Sequence, residues 1–227
     1  MKTNSTDTIL AELDRRRFLG TVSASTVALF ATPGAMAEKL IVTPGMTEGP
    51  FYPDNLPLDT DNDLLIINDE ITPAVGPITH LTGTVMTAKS EPVRGAVVEI
   101  WQCDNNGVYL HSRGGPRKKL DGNFQGFGRF RTDVKGRYYF RTLKPSDYVG
   151  RTPHIHFNVS VKGKKVLTSQ ILIEGDKKNE KDFLYNRIKD PISRQAVLAK
   201  FEPLPGSKIG ELQANFDIIL GVTPQAE

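Results

Sequence analysis

The sequence predicts an all-β protein: an antiparallel β-sandwich with an extended N-terminal arm and a short helical segment near the C-terminus. From about residue 78 onward, apolar and polar side chains alternate with a period of two, which is typical of half-buried strands. Turn residues rich in glycine, asparagine and aspartate separate these stretches. The strands recur at roughly ten-residue spacing, the rhythm of a sandwich or barrel.

The predicted elements follow one another without a linker, so residues 38–227 are expected to form a single domain. Residues 38–57 are rich in proline and glycine and are expected to lie on the core as an arm. Alternation is lost over 176–200, where a break at 190–193 precedes a short helix predicted at 194–200. The predicted strands share the alternating pattern and cover 78–86, 96–103, 129–133, 137–143, 153–161, 165–173 and 211–220.

Residues 1–37 are predicted to be a twin-arginine signal peptide. Consecutive arginines at 15–17 precede an apolar stretch at 20–31 that is too short to span a bilayer. A small-residue cleavage site follows at 35–37. The expected location is periplasmic or secreted, with no membrane association after the signal is removed; the alternative is a cytoplasmic protein with a basic N-terminal helix.

Composition is that of an ordinary globular protein. The 227 residues are 38% hydrophobic and 24% charged, and the formal net charge is only +3. A basic cluster around 113–119 lies in a glycine-rich stretch without interleaved aromatic residues, so no nucleic-acid partner is expected. The sole cysteine, Cys103, cannot form an internal disulfide, and stability must come from core packing or a metal.

His154 and His156 are the strongest functional signal. They are two of four histidines in the chain and stand one residue apart in a predicted strand. Alternate strand residues point the same way with Cβ atoms roughly 6.5–7 Å apart, so both imidazoles can reach one metal ion. An isolated histidine pair of this kind more often consists of polar residues on a solvated strand face. Here Tyr109 and Tyr148 lie in turns that precede the strand, which favours a metal site.

A tyrosine ligand narrows the choice of metal. A phenol has a pKa of about 10, so it binds as phenolate only to a strongly acidifying ion. Ferric iron is hard enough for phenolate oxygen and also accepts imidazole. Two neutral histidines, two tyrosinates and one hydroxide would leave a ferric site without net charge, which suits a buried position.

Other interpretations of these residues stay open on spacing alone. Both tyrosines could be core or rim aromatic residues, and the histidines could hold zinc or copper with a third ligand. His80 and His111 are isolated and are expected to be structural. Of the adjacent Tyr138 and Tyr139, one is expected to lie in the core.

Several segments resemble the intradiol ring-cleavage dioxygenases, the non-haem iron enzymes typified by protocatechuate 3,4-dioxygenase and catechol 1,2-dioxygenase. The resemblance covers residues 47–175, and the pattern of two tyrosines followed by R-x-x-H-x-H is its most specific part. The matching segments are 47–53, 81–85, 95–103, 107–109, 123–133, 136–145 and 151–157.

The resemblance implies a role for each matching residue. Four would bind a non-haem Fe(III) ion: Tyr109, Tyr148, His154 and His156. The residues implied in catalysis are Arg151, Tyr148 and Gln170. Those implied in binding the substrate are Gly49, Pro50, Tyr52 and Arg151.

The reaction implied is cleavage of a catecholic ring by O₂ between its two hydroxylated carbons, giving a cis,cis-muconate-type product. Tyr148 would leave the metal and accept a catechol proton, while Arg151 would stabilise negative charge on the ring. The partners implied are a catecholic small molecule and O₂, with a homo-oligomer or a related second subunit. The loop over 148–154 is shorter than in the best-known members, which predicts a more open pocket.

A function of a different class is also compatible with part of the pattern. The strand and turn segments at 83–85, 92–97, 132–136 and 139–143 resemble transthyretin-like sandwiches, which lack the histidine pair. The alternative is therefore a non-catalytic β-sandwich binding module.

Overall fold

Two five-stranded β-sheets form the fold of this computed structural model, which describes residues 40–67, 72–148 and 150–221. These residues belong to one compact unit, Lys39–Glu227. The strands found in the described ranges are β1 (Ile78–Thr87), β2 (Val97–Trp101), β3 (Phe127–Arg131), β4 (Arg137–Leu143), β5 (His154–Val161), β6 (Lys164–Ile173), β7 (Leu198–Ala199), β8 (Glu202–Pro203), β9 (Leu212–Asn215) and β10 (Ile218–Leu220).

Side chains from both sheets share one apolar core, which confirms the predicted sandwich. The first sheet contributes strands β1, β4, β8, β9 and β10, and the second runs in the order β3-β2-β5-β6-β7. Fully buried members from the first sheet and then from the second are Leu81, Val85, Phe140 and Ile218, and Val98, Ile100, Phe157 and Val159.

The sheets are mixed and not purely antiparallel. Strand β1 pairs antiparallel with β4 but parallel with both β9 and β10, and β6 pairs parallel with β7. Apolar alternation reports which face of a strand is buried and carries no information on the direction of its neighbour. The strands predicted before residue 175 are otherwise found within a few residues of their expected bounds.

The short helix lies earlier than predicted. Helix α1 spans Pro191–Gln195, and part of the range 194–200 is strand β7 instead. Asp190 caps α1, since its carboxylate accepts hydrogen bonds from the amides of Ile192 and Ser193. Pro191 occupies the first helical position, where proline is favoured. The Asp190–Pro191 pair, which the sequence predicts as a break, is therefore the start of the helix.

The last predicted strand, 211–220, is interrupted between β9 and β10. Its predicted inward face is nevertheless confirmed: Ala214, Phe216, Ile218 and Leu220 are all buried. The Phe216 carbonyl accepts a hydrogen bond from the hydroxyl of Tyr138, which is the core member of the predicted tyrosine pair.

The N-terminal arm lies on the core, as predicted. The Thr43 amide donates to the Ile219 carbonyl at 3.0 Å, and the Met46 amide donates to the Thr168 carbonyl at 2.9 Å. The arm therefore runs from β10 of the first sheet to β6 of the second sheet. The predicted signal segment lies outside the described residues, and none of the helices that are described could cross a membrane.

Gly83 lies where β1 passes the Phe216 carbonyl, and this contact predicts a strong stability effect. A Cβ at position 83 would lie 2.0 Å from that oxygen and 2.7 Å from the Tyr138 hydroxyl. Gly83→Ala should therefore lower the free energy of unfolding by at least the ~1–3 kcal/mol typical of overpacking, measured by urea denaturation. Gly122→Ala, where a Cβ meets nothing within 4 Å, is the control; equal stability of the two variants would contradict this account.

Candidate metal centre

Strand β5 brings the two histidines together at its start. Both side chains are buried, the ring centroids are 4.6 Å apart, and the two Nε2 atoms are 3.1 Å apart. Two metal–imidazole bonds of about 2.1 Å at roughly a right angle leave their nitrogens about 3 Å apart. The spacing of the two nitrogens therefore fits one shared ion.

Local contacts set the protonation of His154. Its Nδ1 lies 2.6 Å from the Thr152 carbonyl, which can only accept, so Nδ1 carries the proton and Nε2 is free to bind a cation. Burial lowers the pKa of His154 to about 4, and burial with the neighbouring His154 charge lowers that of His156 well below 6.5. Both imidazoles are therefore neutral near pH 7, the form that binds metals.

Tyr109 and Tyr148 complete a cluster with the histidines. Ring centroids are 5.0 Å apart for Tyr109 and Tyr148, 5.6 Å for Tyr148 and His154, and 6.0 Å for Tyr109 and His156. Together with the histidine pair, these contacts close a cycle of four rings. We call Tyr109, Tyr148, His154 and His156 the four-ring cluster; the structure brings together all four residues that the sequence pointed to.

The two tyrosines differ in environment. Burial raises the pKa of Tyr109 well above its usual value of 10. Burial also raises the pKa of the partly buried Tyr148, and the positive charge of Arg151 opposes that rise. Without a bound cation both side chains are therefore neutral phenols at pH 7, and Tyr148 is the easier of the two to ionise.

The donor set fits a hard cation. The buried Tyr109 hydroxyl has no hydrogen-bond partner that meets distance and angle criteria among the described residues, although it lies close enough to Tyr148 to interact with it. An unpaired buried hydroxyl is costly, and a cation would satisfy it. In the described ranges no three His, Cys, Asp or Glu side chains are grouped to hold a metal.

Arg151 and Gln170 lie beside the cluster and bind each other. The Arg151 Nη2 donates to Gln170 Oε1 at 2.8 Å, and Gln170 Nε2 donates to the Thr47 carbonyl at 3.1 Å. Gln170 is the pairing partner of His156 in the β5–β6 register. The β5–β6 pairing and these hydrogen bonds thus connect the arm, Gln170 and Arg151 to His156.

The three predicted pocket residues of the arm are placed differently from one another. Gly49 packs against His156: a Cβ there would lie 3.3 Å from Cε1, and the backbone has φ +72°. Pro50 is exposed, and the Tyr52 hydroxyl donates to Glu99 Oε2 at 3.3 Å. Burial and the Glu99 charge raise the pKa of Tyr52 to about 12. A pocket role for these residues stays a prediction.

Sequence reasoning missed two aromatic residues that support the cluster. Phe51 stacks on Tyr109 with ring centroids 5.1 Å apart and meets Tyr148 edge-on at 5.8 Å. Trp101 stacks on His156 at 4.9 Å with the rings nearly parallel. Phe51 stands in an arm without periodicity, and Trp101 reaches His156 only through β2–β5 pairing, so neither contact leaves a local signal.

His80 and His111 both have partners outside the four-ring cluster. His80 lies between the Tyr139 hydroxyl at 2.8 Å and Glu211 Oε1 at 3.0 Å. The His111 Nδ1 accepts a hydrogen bond from the Arg113 amide at 3.0 Å.

Comparison with known proteins adds independent information. Residues 47–221 match the model of a family described as Dioxygenase. The protocatechuate 3,4-dioxygenase beta chain of Burkholderia cepacia is 32% identical over 149 residues, which cover 62% of this chain and 63% of that one. Catechol 1,2-dioxygenase 1 of Acinetobacter lwoffii is 32% identical over 161 residues, covering 63% of this chain and 50% of its own length.

Solved structures show the same fold. The dioxygenase domain of a carbohydrate-binding fusion protein from Streptomyces sp. SirexAA-E superposes with a TM-score of 0.61 at 26% identity, covering 80% of this chain and 99% of that domain. Catechol 1,2-dioxygenase from Acinetobacter sp. ADP1 has a TM-score of 0.60 at 23% identity, covering 92% of this chain and 73% of its own. The chain spans between half and two thirds of the length of the curated relatives above.

The buried neutral histidines predict a pH-dependent stability of the metal-free protein. Unfolded histidine takes up a proton near pH 6.5, whereas folded His154 does so only near a pKa of about 4. The unfolded state therefore binds more protons between these values, and the free energy of unfolding should fall as the pH drops from 6.5 to 4.

Urea denaturation of chelator-treated protein at pH 7.5, 6.5, 5.5 and 4.5 measures this fall. A His154→Gln/His156→Gln variant, which cannot take up these protons, should show a shallower dependence across the same series. Identical pH slopes for the two proteins would rule out the histidines as its source.

Proposed function

Because this chain belongs to the intradiol ring-cleavage dioxygenase family, we propose that it is a non-haem Fe(III) enzyme that cleaves a catecholic ring with O₂. Cleavage would fall between the two hydroxylated carbons and give a cis,cis-muconate-type product. The observation that carries the proposal is the four-ring cluster: two neutral imidazoles and two phenols in mutual contact beside Arg151.

The four-ring cluster would hold the ion. Ferric iron, when bound, supplies a Lewis acid strong enough to ionise phenols and a redox centre for chemistry with O₂. Two neutral imidazoles with two phenolates offset most of its charge, which matters because Tyr109, His154 and His156 are almost completely buried. The histidines stay neutral through burial, and the Thr152 carbonyl keeps the His154 proton on Nδ1.

Tyr148 is suited to handle a proton. It is the more exposed of the two tyrosines, and the nearby Arg151 charge favours its phenolate. On arrival of a catechol, the Tyr148 Oη would accept a proton from one catechol hydroxyl. Tyr109 stays buried beneath Phe51 and would keep its place.

Arg151 would stabilise negative charge that develops on the ring. Its guanidinium is held by hydrogen bonds, so its positive charge is already in place when the reaction begins. Both atoms of O₂ enter the product: the O–O bond and one ring C–C bond break as two C–O bonds form, so no external reductant is needed.

The substrate class rests on the relatives. Those matched include protocatechuate, catechol and hydroxyquinol dioxygenases, all named for aromatic rings that carry two adjacent hydroxyl groups. The short loop over 148–154 supports a more open pocket and a bulkier catechol. The alternative of a non-catalytic transthyretin-like module is not favoured, since the curated relatives are enzymes.

Iron binding predicts a colour that depends on the two tyrosines. Phenolate bound to ferric iron absorbs visible light, so protein loaded with one equivalent of iron should be coloured. Tyr148→Phe and Tyr109→Phe should each weaken or shift the band, and Tyr148→Phe should lower catechol turnover by roughly 10²–10⁴-fold if proton transfer is lost. Tyr185→Phe is the control, because Tyr185 lies outside the cluster.

Oxygen uptake with catechol, protocatechuate, hydroxyquinol and larger catechols tests the activity itself. One O₂ consumed per ring, with a muconate-type product identified by mass, is the expected result. Iron-loaded protein that stays colourless, or that consumes no O₂ with any of these compounds, would refute the proposal.

We also propose that residues 1–37, which lie outside the described residues, direct export to the periplasm or beyond. The arginines at 15–17 support this. Replacing Arg15 and Arg16 with lysine keeps the charge and should retain the protein in the cytoplasm, measured by cell fractionation against marker enzymes. Wild-type protein found in the cytoplasmic fraction alone would disprove export.

A further inference from the structure

Asp182 is a fully buried carboxylate in a stretch where the sequence shows no alternation and suggests no function. Its side chain is 0% exposed. It accepts hydrogen bonds from the backbone amides of Leu184 and Tyr185, both at 3.0 Å, and from the Thr152 amide at 3.2 Å. A buried charge is costly unless it is paired, so the role of this carboxylate depends on the group with which it pairs.

That partner is Arg151. The Arg151 Nε donates to Asp182 Oδ2 at 2.6 Å, and Nη2 makes a longer contact of 3.4 Å to Oδ1. Nη2 also donates to Gln170 Oε1 at 2.8 Å. Asp182 and Gln170 thus engage two of the three guanidinium nitrogens, and neither of them bonds Nη1. A forked contact of this kind fixes the guanidinium plane as well as its position.

The same carboxylate also reaches His154 through one residue, Thr152. Asp182 accepts from the amide of Thr152, and the carbonyl of Thr152 accepts from the Nδ1 of His154. The Thr152 hydroxyl donates to Asn179 at 2.6 Å, so this residue is held on three sides. Asp182 therefore connects the orientation of Arg151 to the tautomer of His154.

We propose that Asp182 is a positioning residue for ring cleavage: it holds the Arg151 guanidinium toward the reacting ring and, through Thr152, the His154 imidazole toward the metal. The inference rests on the proposed function. It assigns a role in the reaction to a residue that lies about 30 positions after Arg151 along the chain. A carboxylate needed only to close a local turn would be satisfied by the Leu184 and Tyr185 amides and would not require an arginine.

Asp190 is the matched comparison. It lies eight positions further along the same segment, and its carboxylate accepts backbone hydrogen bonds from Ile192 and Ser193, but it is exposed and forms no ion pair with an arginine side chain of the described residues. Asp190→Asn thus makes the same chemical change without touching the site.

The experiment compares Asp182→Asn with Asp190→Asn in the iron-loaded full chain, using oxygen uptake to obtain kcat and KM. Asp182→Asn should lower kcat by about 10- to 100-fold, the usual loss when a residue that orients a site is replaced. Iron content should change little, because the four ligands remain, whereas the visible band should shift, because Thr152 and with it His154 lose the contact to the Asp182 carboxylate. Asp190→Asn should match wild type; an Asp182→Asn variant that does the same would overturn the proposal.

A double-mutant cycle with Arg151→Gln separates positioning from general stability. If Asp182 acts through Arg151, the double variant should lose little more kcat than Arg151→Gln alone. Fully additive losses would show that Asp182 acts independently of the arginine and would overturn the proposal.

Arg151→Lys keeps the inference testable if Asp182→Asn does not fold. Lysine retains the charge but cannot occupy the fork, so kcat should fall about tenfold or more although Asp182 is intact. Full activity in Arg151→Lys would overturn the proposal. Wild-type protein without any catechol turnover would overturn the proposed function together with this inference, whereas an active wild type with an unaffected Asp182→Asn variant would overturn this inference alone.

Discussion

The pairing of β5 between β2 and β6 is the constraint on which the candidate metal centre depends. It places His156 beside Trp101 on one side and Gln170 on the other. Because side chains alternate along a strand, a shift of this register by one residue would turn both imidazoles to the opposite face. The stacking of Trp101 on His156 and the hydrogen bond from Gln170 to the arm both require the observed register.

A second constraint is the cost of burying polar groups. The centre collects two imidazoles, a buried phenol, an arginine and a carboxylate in a small volume, and most of these groups are satisfied by one another or by the backbone. Among these groups of the described residues, the exceptions are the Nδ1 of His156 and the Tyr109 hydroxyl. The unpaired state of this hydroxyl is consistent with a site built to hold a cation, since the same oxygen is a suitable ligand for ferric iron.

Much of the fold followed from local pattern. Alternation located the strands that carry the site, and the inward face of 211–220 was confirmed residue by residue. The parallel return of β9 and β10 alongside β1 was missed, because alternation does not encode the direction of a neighbour. The helix begins earlier than the sequence pattern predicts, because Asp190–Pro191 is both a typical chain break and an aspartate cap followed by proline, which is how a helix begins.

The sequence by itself determined the chemistry of the donors: a histidine pair with strand spacing, two tyrosines in turns, and an arginine three residues before the pair. These signals are local, since strand periodicity and residue type act within a few positions. Only the tertiary structure decided which tyrosine is buried, that Phe51 covers the cluster, and that Asp182 holds Arg151 from a segment without recognisable pattern. Those contacts join residues far apart along the chain, and their energy arises only when burial removes water from both partners at once.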